Sequence, residues 1–152
     1  MQPSDPPDPE SVTRYILNTY AGVETVEAAG FTFFFYGPDR MMPFATLGTQ
    51  DDVYDRASDL DRPGVFRLNV GVSRDTYTRM FGQHPAAPGE SRMVDTGHDF
   101  TALDQLMPHP VYAPQSWVCV LNPSALTFQT VGTLLDEAYE RAVSRHAKRE
   151  GT

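Results

Sequence analysis

The stretch FTFFFYG, residues 31–37, decides the fold class because it is apolar on both faces of an extended strand. Successive side chains of a strand point to opposite faces. The three odd-numbered phenylalanines therefore share one face, while Phe34 and Tyr36 share the other. A strand with one face in water alternates apolar and polar residues instead, so both faces of this strand are predicted to be covered.

Four further segments have the composition of strands. The clearest is VFRLNVGV, residues 65–72, which alternates cleanly and places Arg67 and Asn69 on the face opposite to its apolar residues. Close turns at Gly30 and within GPDRMM (37–42) predict an antiparallel meander at the start of the sheet. The other three predicted strands are residues 23–28, 43–48 and 117–122.

Helix signals flank these strands. Asp8 followed by Pro9 predicts a helix start, with Gly22 at the C-terminal end. Ser73 and Gly82 bound a second predicted helix. Apolar spacing predicts three more, within residues 49–64, from Thr101 to Met107 before Pro108, and from near Thr127 onward.

The order of these elements predicts an α+β fold of two layers, a single antiparallel β-sheet with helices packed on one face. Residues 1–7 are predicted to be a disordered N-terminal tail, and residues 8–148 a single domain. The loop at residues 83–98 is longer than a simple connection needs, which is typical of a functional or mobile segment.

Composition excludes several classes of protein. The chain of 152 residues is 40% hydrophobic, which is enough for one core and too apolar for disorder. A net charge of −8 disfavours binding to nucleic acid, which depends on neutralising phosphates. With Cys119 as its one cysteine, no basic apolar leader and no long apolar run, the chain is expected to be cytoplasmic and not bound to a membrane.

Motifs for catalysis or metal binding are not found. The aspartates of residues 49–64 fail the calcium-loop pattern and predict a solvated acidic loop instead. Cys119 lies in an apolar strand, which favours a buried thiol over a reactive one. No catalytic residue, metal site or cofactor is therefore predicted, and the sequence favours a protein that is not an enzyme.

Five residues are candidates for binding. Arg67 and Asn69 share a strand face, and a neighbouring aromatic face would make a mixed surface of the kind that partners and ligands use. His109 lies between two prolines, where it suits either a turn or proton transfer near pH 7. Tyr36 and Trp117 are the aromatic candidates, although a position in the core would suit Trp117 equally well.

The cover of the second sheet face has three alternatives. The segment at residues 98–116 carries apolar side chains that could fold over it, a second copy of the chain could dock there, or a small apolar ligand could bind. Burying two phenylalanines contributes roughly 3 to 6 kcal/mol, so a wet face is disfavoured. We expect the segment to cover part of the face and self-association to cover the remainder.

The succession FTFFFYGPDRMMPFATLG, then FRLNVGVSRDTYTRMFG, then SWVCVLN and a closing helix resembles the MmcQ/YjbR-like family of small bacterial proteins. Over residues 11–146 the chain is more closely similar to a family of uncharacterised bacterial proteins, which show nearly the same PHPVYAPQSWVCVLNP. The distant resemblance implies helices on one antiparallel sheet, as in secretion chaperones, and a role in DNA binding. It implies no catalytic residues, and this chain has Arg67-Leu68-Asn69 where a lysine is expected in the fourth strand.

Three functions follow from these observations. The first is a protein-interaction module without enzymatic activity, acting as a homodimer or with a protein partner. The second is a small-molecule-binding protein or enzyme with a pocket near Arg67, Asn69 and His109, in which Arg67 would pair with an anion. The third is DNA binding, which the net charge of −8 disfavours.

Overall fold

The computed structural model describes residues 5–37 and 40–151 of the chain. Within them the chain forms one six-stranded sheet, three α-helices and a single 3₁₀ turn at Ala113–Gln115. In chain order the elements are α1 (Pro9–Thr19), β1 (Val23–Ala28), β2 (Phe31–Tyr36), β3 (Ala45–Gly48), β4 (Arg67–Gly71), α2 (Arg74–Phe81), β5 (Met107–Pro108), β6 (Trp117–Leu121) and α3 (Ala125–Gly151).

The sheet has the strand order β1-β2-β3-β4-β6-β5, and every neighbouring pair is antiparallel. The first three strands form the predicted meander, β4 extends it, and β6 pairs with the other edge of β4 after α2 and the long loop. The two-residue strand β5 closes the far edge. The predicted α+β fold with one antiparallel sheet is confirmed.

The helices α1 and α3 cover one face of this sheet. Phe34 of β2 is fully buried beneath them, and Tyr139 of α3 packs against Tyr20 and Phe44 with ring centroids 4.8 and 5.8 Å apart. Leu68 and Val70 of β4 point to the same side as Val118 and Val120 of β6, since these residues pair directly across the two strands. This face is the hydrophobic core of the protein.

Two of the predicted helix boundaries rest on side-chain caps. The Oδ1 atom of Asp8 accepts a hydrogen bond from the backbone N–H of Ser11 at 2.8 Å, which confirms the predicted start of α1. Ser73 caps α2 in the same way, and Gly82 ends it with φ of +83°. The prediction for Gly22 was wrong, because α1 already ends at Thr19 and Gly22 instead forms the turn into β1.

The helix predicted within residues 49–64 does not form. Asp51 accepts a hydrogen bond from the backbone N–H of Leu60, and its own N–H donates to the side chain of Asp61. Backbone bridges between Asp52 and Asp55 hold the intervening turn. Aspartate side chains that bond to backbone groups compete with helix formation, so this stretch becomes a folded loop.

The helix predicted from Thr101 to Met107 is also absent. The side chain of Asp99 accepts from the N–H of Thr101, and Asp104 takes a positive φ of +57° while its N–H donates to the carbonyl of Leu121. Met107 then pairs with Cys119. Pairing with the free edge of β6 therefore outweighs the helical spacing of the apolar residues.

Parts of two predictions lie outside the described residues. These are residues 1–4 of the predicted tail and residues 38–39 of the predicted turn in GPDRMM. The division into a tail and one domain stays a prediction. Among the residues that the structure describes, no helix combines the length and the apolar character needed to cross a membrane.

The second face of the sheet is polar at its centre and aromatic around it. One row across the strands runs from Phe33 through Thr46 and Asn69 to Cys119. The neighbouring row brings together Phe31, Gly48 and Arg67. The alternation that the sequence predicted for 31–36 and 65–72 is thus confirmed, and it places Arg67 and Asn69 beside the odd-numbered phenylalanines.

Two glycines let aromatic rings lie against this face. A Cβ atom on Gly48 would come within 2.5 Å of the Phe31 ring, and one on Gly71 would lie 3.1 Å from the indole of Trp117. Both rings therefore occupy space that any other residue at these strand positions would fill. As a result Phe31 and Trp117 stand on either side of the Thr46–Asn69 row.

Candidate ligand-binding site

Arg67 is the centre of a hydrogen-bond network on the second face. Its side chain is fully buried, although it carries a permanent positive charge. Both Nη atoms donate to the carboxylate of Asp55, which forms a bidentate ion pair. Nη1 also donates to Ser58, and Nε donates to Oδ1 of Asn69 at 2.7 Å. The guanidinium is thus neutralised within the chain.

This pairing overturns one sequence prediction. Asp55 belongs to the loop that was expected to be solvated, yet it is buried against Arg67. A buried guanidinium without a counter-charge would be very unfavourable. The ion pair with Arg67 therefore holds the part of the loop around Asp55 against the sheet. The loop at residues 49–64 and the segment around His109 are called the covering loops below, and together they cover much of the second face.

His109 is buried in a single protonation state. Its Nδ1 atom accepts hydrogen bonds from the backbone N–H groups of Val111 and Tyr112, both at 3.0 Å. Burial, and then the charge of Arg67, hold the pKa of His109 well below its usual range, so the ring is neutral at pH 7. With two donors facing Nδ1, the single ring proton resides on Nε2.

The Nε2–H group of His109 is left without an acceptor among the described residues. Nη2 of Arg67 lies 3.3 Å from Nε2, but a guanidinium has no lone pair to offer. The Oδ2 atom of Asp55 is 3.9 Å away, beyond hydrogen-bonding distance. Because the imidazole is neutral, that contact is not an ion pair either. A buried donor therefore remains available.

A cavity of about 520 Å³ lies over this network. Its floor includes Thr46 and Asn69, and Asp55 and His109 line it as well. The amide of Asn69 is held in place, since its nitrogen donates to the hydroxyl of Thr46 at 2.9 Å. Five aromatic side chains complete most of the wall, namely Phe31, Phe33, Tyr54, Tyr112 and Trp117.

The structure brings together four of the five residues that the sequence offered for binding. Asn69, His109 and Trp117 line the cavity, and Arg67 lies directly behind Asn69 and Asp55. Tyr36 does not join them, because strand alternation turns it to the helix-covered face, where it packs edge-on against Tyr139 and His146 of α3.

Sequence reasoning missed Asp55, Thr46 and Tyr54 as residues of this site. Thr46 is brought to Asn69 by strand register, which no local pattern specifies. The signal for Asp55 was indirect: an arginine in the middle of an apolar strand needs a carboxylate partner, and the acidic loop just before that strand supplies one.

Comparison with known proteins places the chain in one family. The model described as "Family of unknown function (DUF6194)" matches residues 7–151. The chain belongs to this family. The predicted membership of an uncharacterised family is thereby confirmed. None of the curated proteins and none of the solved structures compared with the chain matches it.

Within this member of the family, Cys119 is not a reactive thiol. It is buried, and burial raises its pKa to about 12. Its sulfur lies 3.7 Å from the carbonyl oxygen of Pro108. Among the described residues no cluster of three or more His, Cys, Asp or Glu side chains could hold a metal ion.

A second hollow, of about 670 Å³, lies between α1 and the β1–β2 turn. Its charged side chains, Glu10, Arg14 and Glu27, are all exposed. Exposed charges of this kind are mobile and well solvated, so they do not specify a ligand. The cavity over Asn69 and His109 has fixed, buried polar groups, and it is therefore the better candidate site.

Replacing Asp55 tests the buried ion pair. We expect Asp55→Ala to lower the free energy of unfolding by about 3–5 kcal/mol, because it leaves the guanidinium of Arg67 buried and uncompensated. Urea unfolding monitored by circular dichroism measures the loss. Asp95→Ala, at an exposed aspartate in the long loop, serves as the matched control and should change stability by less than about 0.5 kcal/mol.

The double variant Asp55→Leu/Arg67→Met covers the case in which Asp55→Ala does not fold. Exchanging a whole buried pair for apolar residues is often neutral or stabilising, so the double variant should be more stable than Asp55→Ala. A double variant as unstable as the single one would contradict the assignment of the loss to an unpaired charge.

The pKa of His109 predicts a loss of stability at mildly acidic pH. Below about pH 6.5 the imidazole of the unfolded chain takes up a proton that the folded chain does not. The unfolded state then binds more protons, so the free energy of unfolding falls as pH falls, by up to about 1.4 kcal/mol per pH unit attributable to this residue.

Urea unfolding of the wild type and of His109→Gln between pH 7.5 and 5 isolates this effect. The pKa of His84 is also lowered, by burial and then by Arg74, but that contribution is common to both proteins and cancels in the difference. The wild type should lose more stability than the variant below pH 6.5. Parallel pH profiles would show that His109 titrates normally in the folded chain.

Proposed function

We propose that the protein binds a small, largely apolar molecule in the cavity between the second sheet face and its covering loops. The observation that carries this proposal is the buried Nε2–H donor of His109, a residue that lines a cavity of about 520 Å³ with aromatic walls. Ligand sites in proteins typically enclose about 300–1,000 Å³, with mainly apolar walls and a few fixed polar groups.

The polar floor supports this proposal on energetic grounds. Burying an amide or an imidazole costs free energy unless each polar atom finds a partner. Here Arg67 and Thr46 hold the side chain of Asn69, and the backbone holds Nδ1 of His109, so both groups are fixed before any ligand arrives. Fixed side chains of this kind are what a specific binding site requires.

The side chains of the cavity favour binding over catalysis. His109 cannot accept a proton at Nδ1 without losing two backbone hydrogen bonds. Asp55 is held by Arg67, and the neighbouring Cys119 is a protonated thiol. An activated nucleophile paired with a base is the usual arrangement for covalent catalysis, and these residues do not supply it.

Alanine substitution of one wall residue tests the proposal. Small aromatic fragments titrated into the labelled protein should shift NMR signals of Trp117 and Tyr112. Phe33→Ala should weaken the fragments that bind by about five- to tenfold, because it removes an aromatic contact. Phe35→Ala is the matched control, on the same strand and the same face but away from the cavity lining.

Equal losses in the two phenylalanine variants would contradict a site in this cavity. Fragments that shift only residues around α1 would place binding in the other hollow instead. A complete absence of shifts near Trp117 would remove the main support for the proposed function.

Protein association is a second candidate, and exposed apolar residues at the mouth of the cavity favour it. Met42, Tyr54 and Tyr112 line the cavity, yet they are 53%, 70% and 52% exposed. Val53 beside them is 61% exposed. Clusters of exposed apolar residues mark interaction surfaces, and a second copy of the chain or a protein partner could bind this rim.

Sedimentation velocity over a wide concentration range tests self-association. If the rim forms a homodimer, Tyr54→Asp should shift the distribution to monomer, because it buries a charge in the interface. Leu126→Asp, at a residue of α3 that is 75% exposed, is the control and should leave the distribution unchanged. A wild type that stays monomeric throughout would contradict the homodimer.

Two further proposals concern relatives and location. The order of helix, meander, helix, strand and closing helix supports a distant relationship to the bacterial MmcQ/YjbR-like proteins. An unpaired, buried Cys119 supports a reducing compartment such as the cytoplasm. The net charge of −8 opposes the DNA binding that the distant resemblance implies.

A further inference from the structure

We infer that the ligand of this cavity is a planar aromatic molecule with an uncharged acceptor group, such as a carboxamide or a ketone, that takes the hydrogen bond of His109 Nε2–H. This inference rests on the proposed function and specifies its ligand class. It follows from three properties of the lining, which are the donor, the shape of the walls and the balance of charge.

The donor defines the acceptor on the ligand. His109 is 3% exposed, and its Nδ1 is occupied by two backbone N–H groups. His109 and Asp55 both line the cavity, and Nε2 of His109 is 3.9 Å from the Asp55 carboxylate and 3.3 Å from Nη2 of Arg67. Two donors so close together favour a single acceptor oxygen placed within reach of Nε2.

The walls favour a flat ring. Phe31 lies against Gly48 and Trp117 against Gly71, so these rings flank the Thr46–Asn69 row on opposite sides. The two flanking rows cross β4 at Arg67 and at Gly71. These positions are four residues apart along the strand, which corresponds to about 13 Å at the rise per residue of a β-strand. Aromatic walls on both sides of a polar strip suit a molecule that has apolar faces and a polar edge.

The charges favour an uncharged group over an anion. A carboxylate ligand would meet the charge of Asp52, which lines the cavity and does not belong to the Arg67–Asp55 ion pair. The charge of Arg67 cannot compensate, because both of its Nη atoms already bind Asp55. The expected pairing of Arg67 with an anion is therefore replaced by a neutral acceptor at His109.

The donor of His109 also disfavours an organic cation. An ammonium group has donors but no acceptor, so it cannot take the hydrogen bond of Nε2–H. A carbonyl oxygen meets both requirements, since it accepts and carries no net charge.

Four probes that differ at one substituent test this inference. Benzamide, benzoate, benzylamine and toluene present a neutral acceptor, an anion, a cation and no polar group on the same ring. Titration into the full chain at pH 7.5, followed by NMR, should show benzamide binding at least about fivefold more tightly than toluene and at least about tenfold more tightly than benzoate or benzylamine.

A variant assigns the preference to His109. In His109→Phe, which removes the donor and keeps a ring, the ratio of benzamide to toluene affinity should fall toward one. His98→Phe, at a histidine outside the cavity lining, should keep the ratio of the wild type. If His109→Phe does not fold, the Nε2–H signal of the wild type is followed directly, and benzamide should move it downfield while toluene does not.

The outcomes separate the inference from the proposed function. Tightest binding by benzoate or benzylamine, equal binding by all four probes, or an unchanged ratio in His109→Phe would overturn the inferred ligand class and leave a binding cavity in place. Other fragments that reach the cavity while benzamide does not would do the same. If neither the probes nor any fragment reaches it, both proposals fail.

Discussion

A guanidinium buried in the middle of a β-sheet constrains the rest of this structure. Arg67 is fully buried, and taking its charge out of water is tolerated only with a matching carboxylate and further hydrogen bonds. Asp55, Ser58 and Asn69 supply these. The need for that partner explains why an acidic stretch, which by composition belongs in solvent, lies over the sheet as a loop instead of forming a helix beside it.

The same constraint explains how a cavity can persist on this face. Apolar residues collapse into any space that they can fill, whereas the row from Thr46 to Asn69 is tied to Arg67 by directional bonds. The rings of Phe31 and Trp117 lie over glycines at the sides of that row. A polar strip between aromatic walls results, and the covering loops close over it without filling it.

The two faces of the sheet have separate tasks. The helix-covered face carries the hydrophobic core, in which Phe34, Leu68 and Val70 are buried beneath α1 and α3. The second face holds the buried polar groups around Arg67 and the cavity. Strand alternation provides this division, because neighbouring residues of one strand serve different layers.

The sequence by itself determined five of the six strands, the antiparallel sheet and the N-caps of α1 and α2, since these depend on local alternation and on bonds between neighbouring residues. It also determined that Arg67 and Asn69 share one face of their own strand, whereas the strand register decided that this face also carries the odd-numbered phenylalanines. Local spacing misled in two places, at residues 49–64 and from Thr101 to Met107, where bonds to distant parts of the chain outweighed a helical pattern.

Only the tertiary structure decided the site. The pairing of Asp55 with Arg67, the approach of His109 from the far end of the chain and the turning of Tyr36 toward α3 all depend on which strands are neighbours and in what register. Register and loop placement are set by long-range burial of charge and apolar surface. A single sequence records the groups that need partners, but it does not record which partners the fold brings to them.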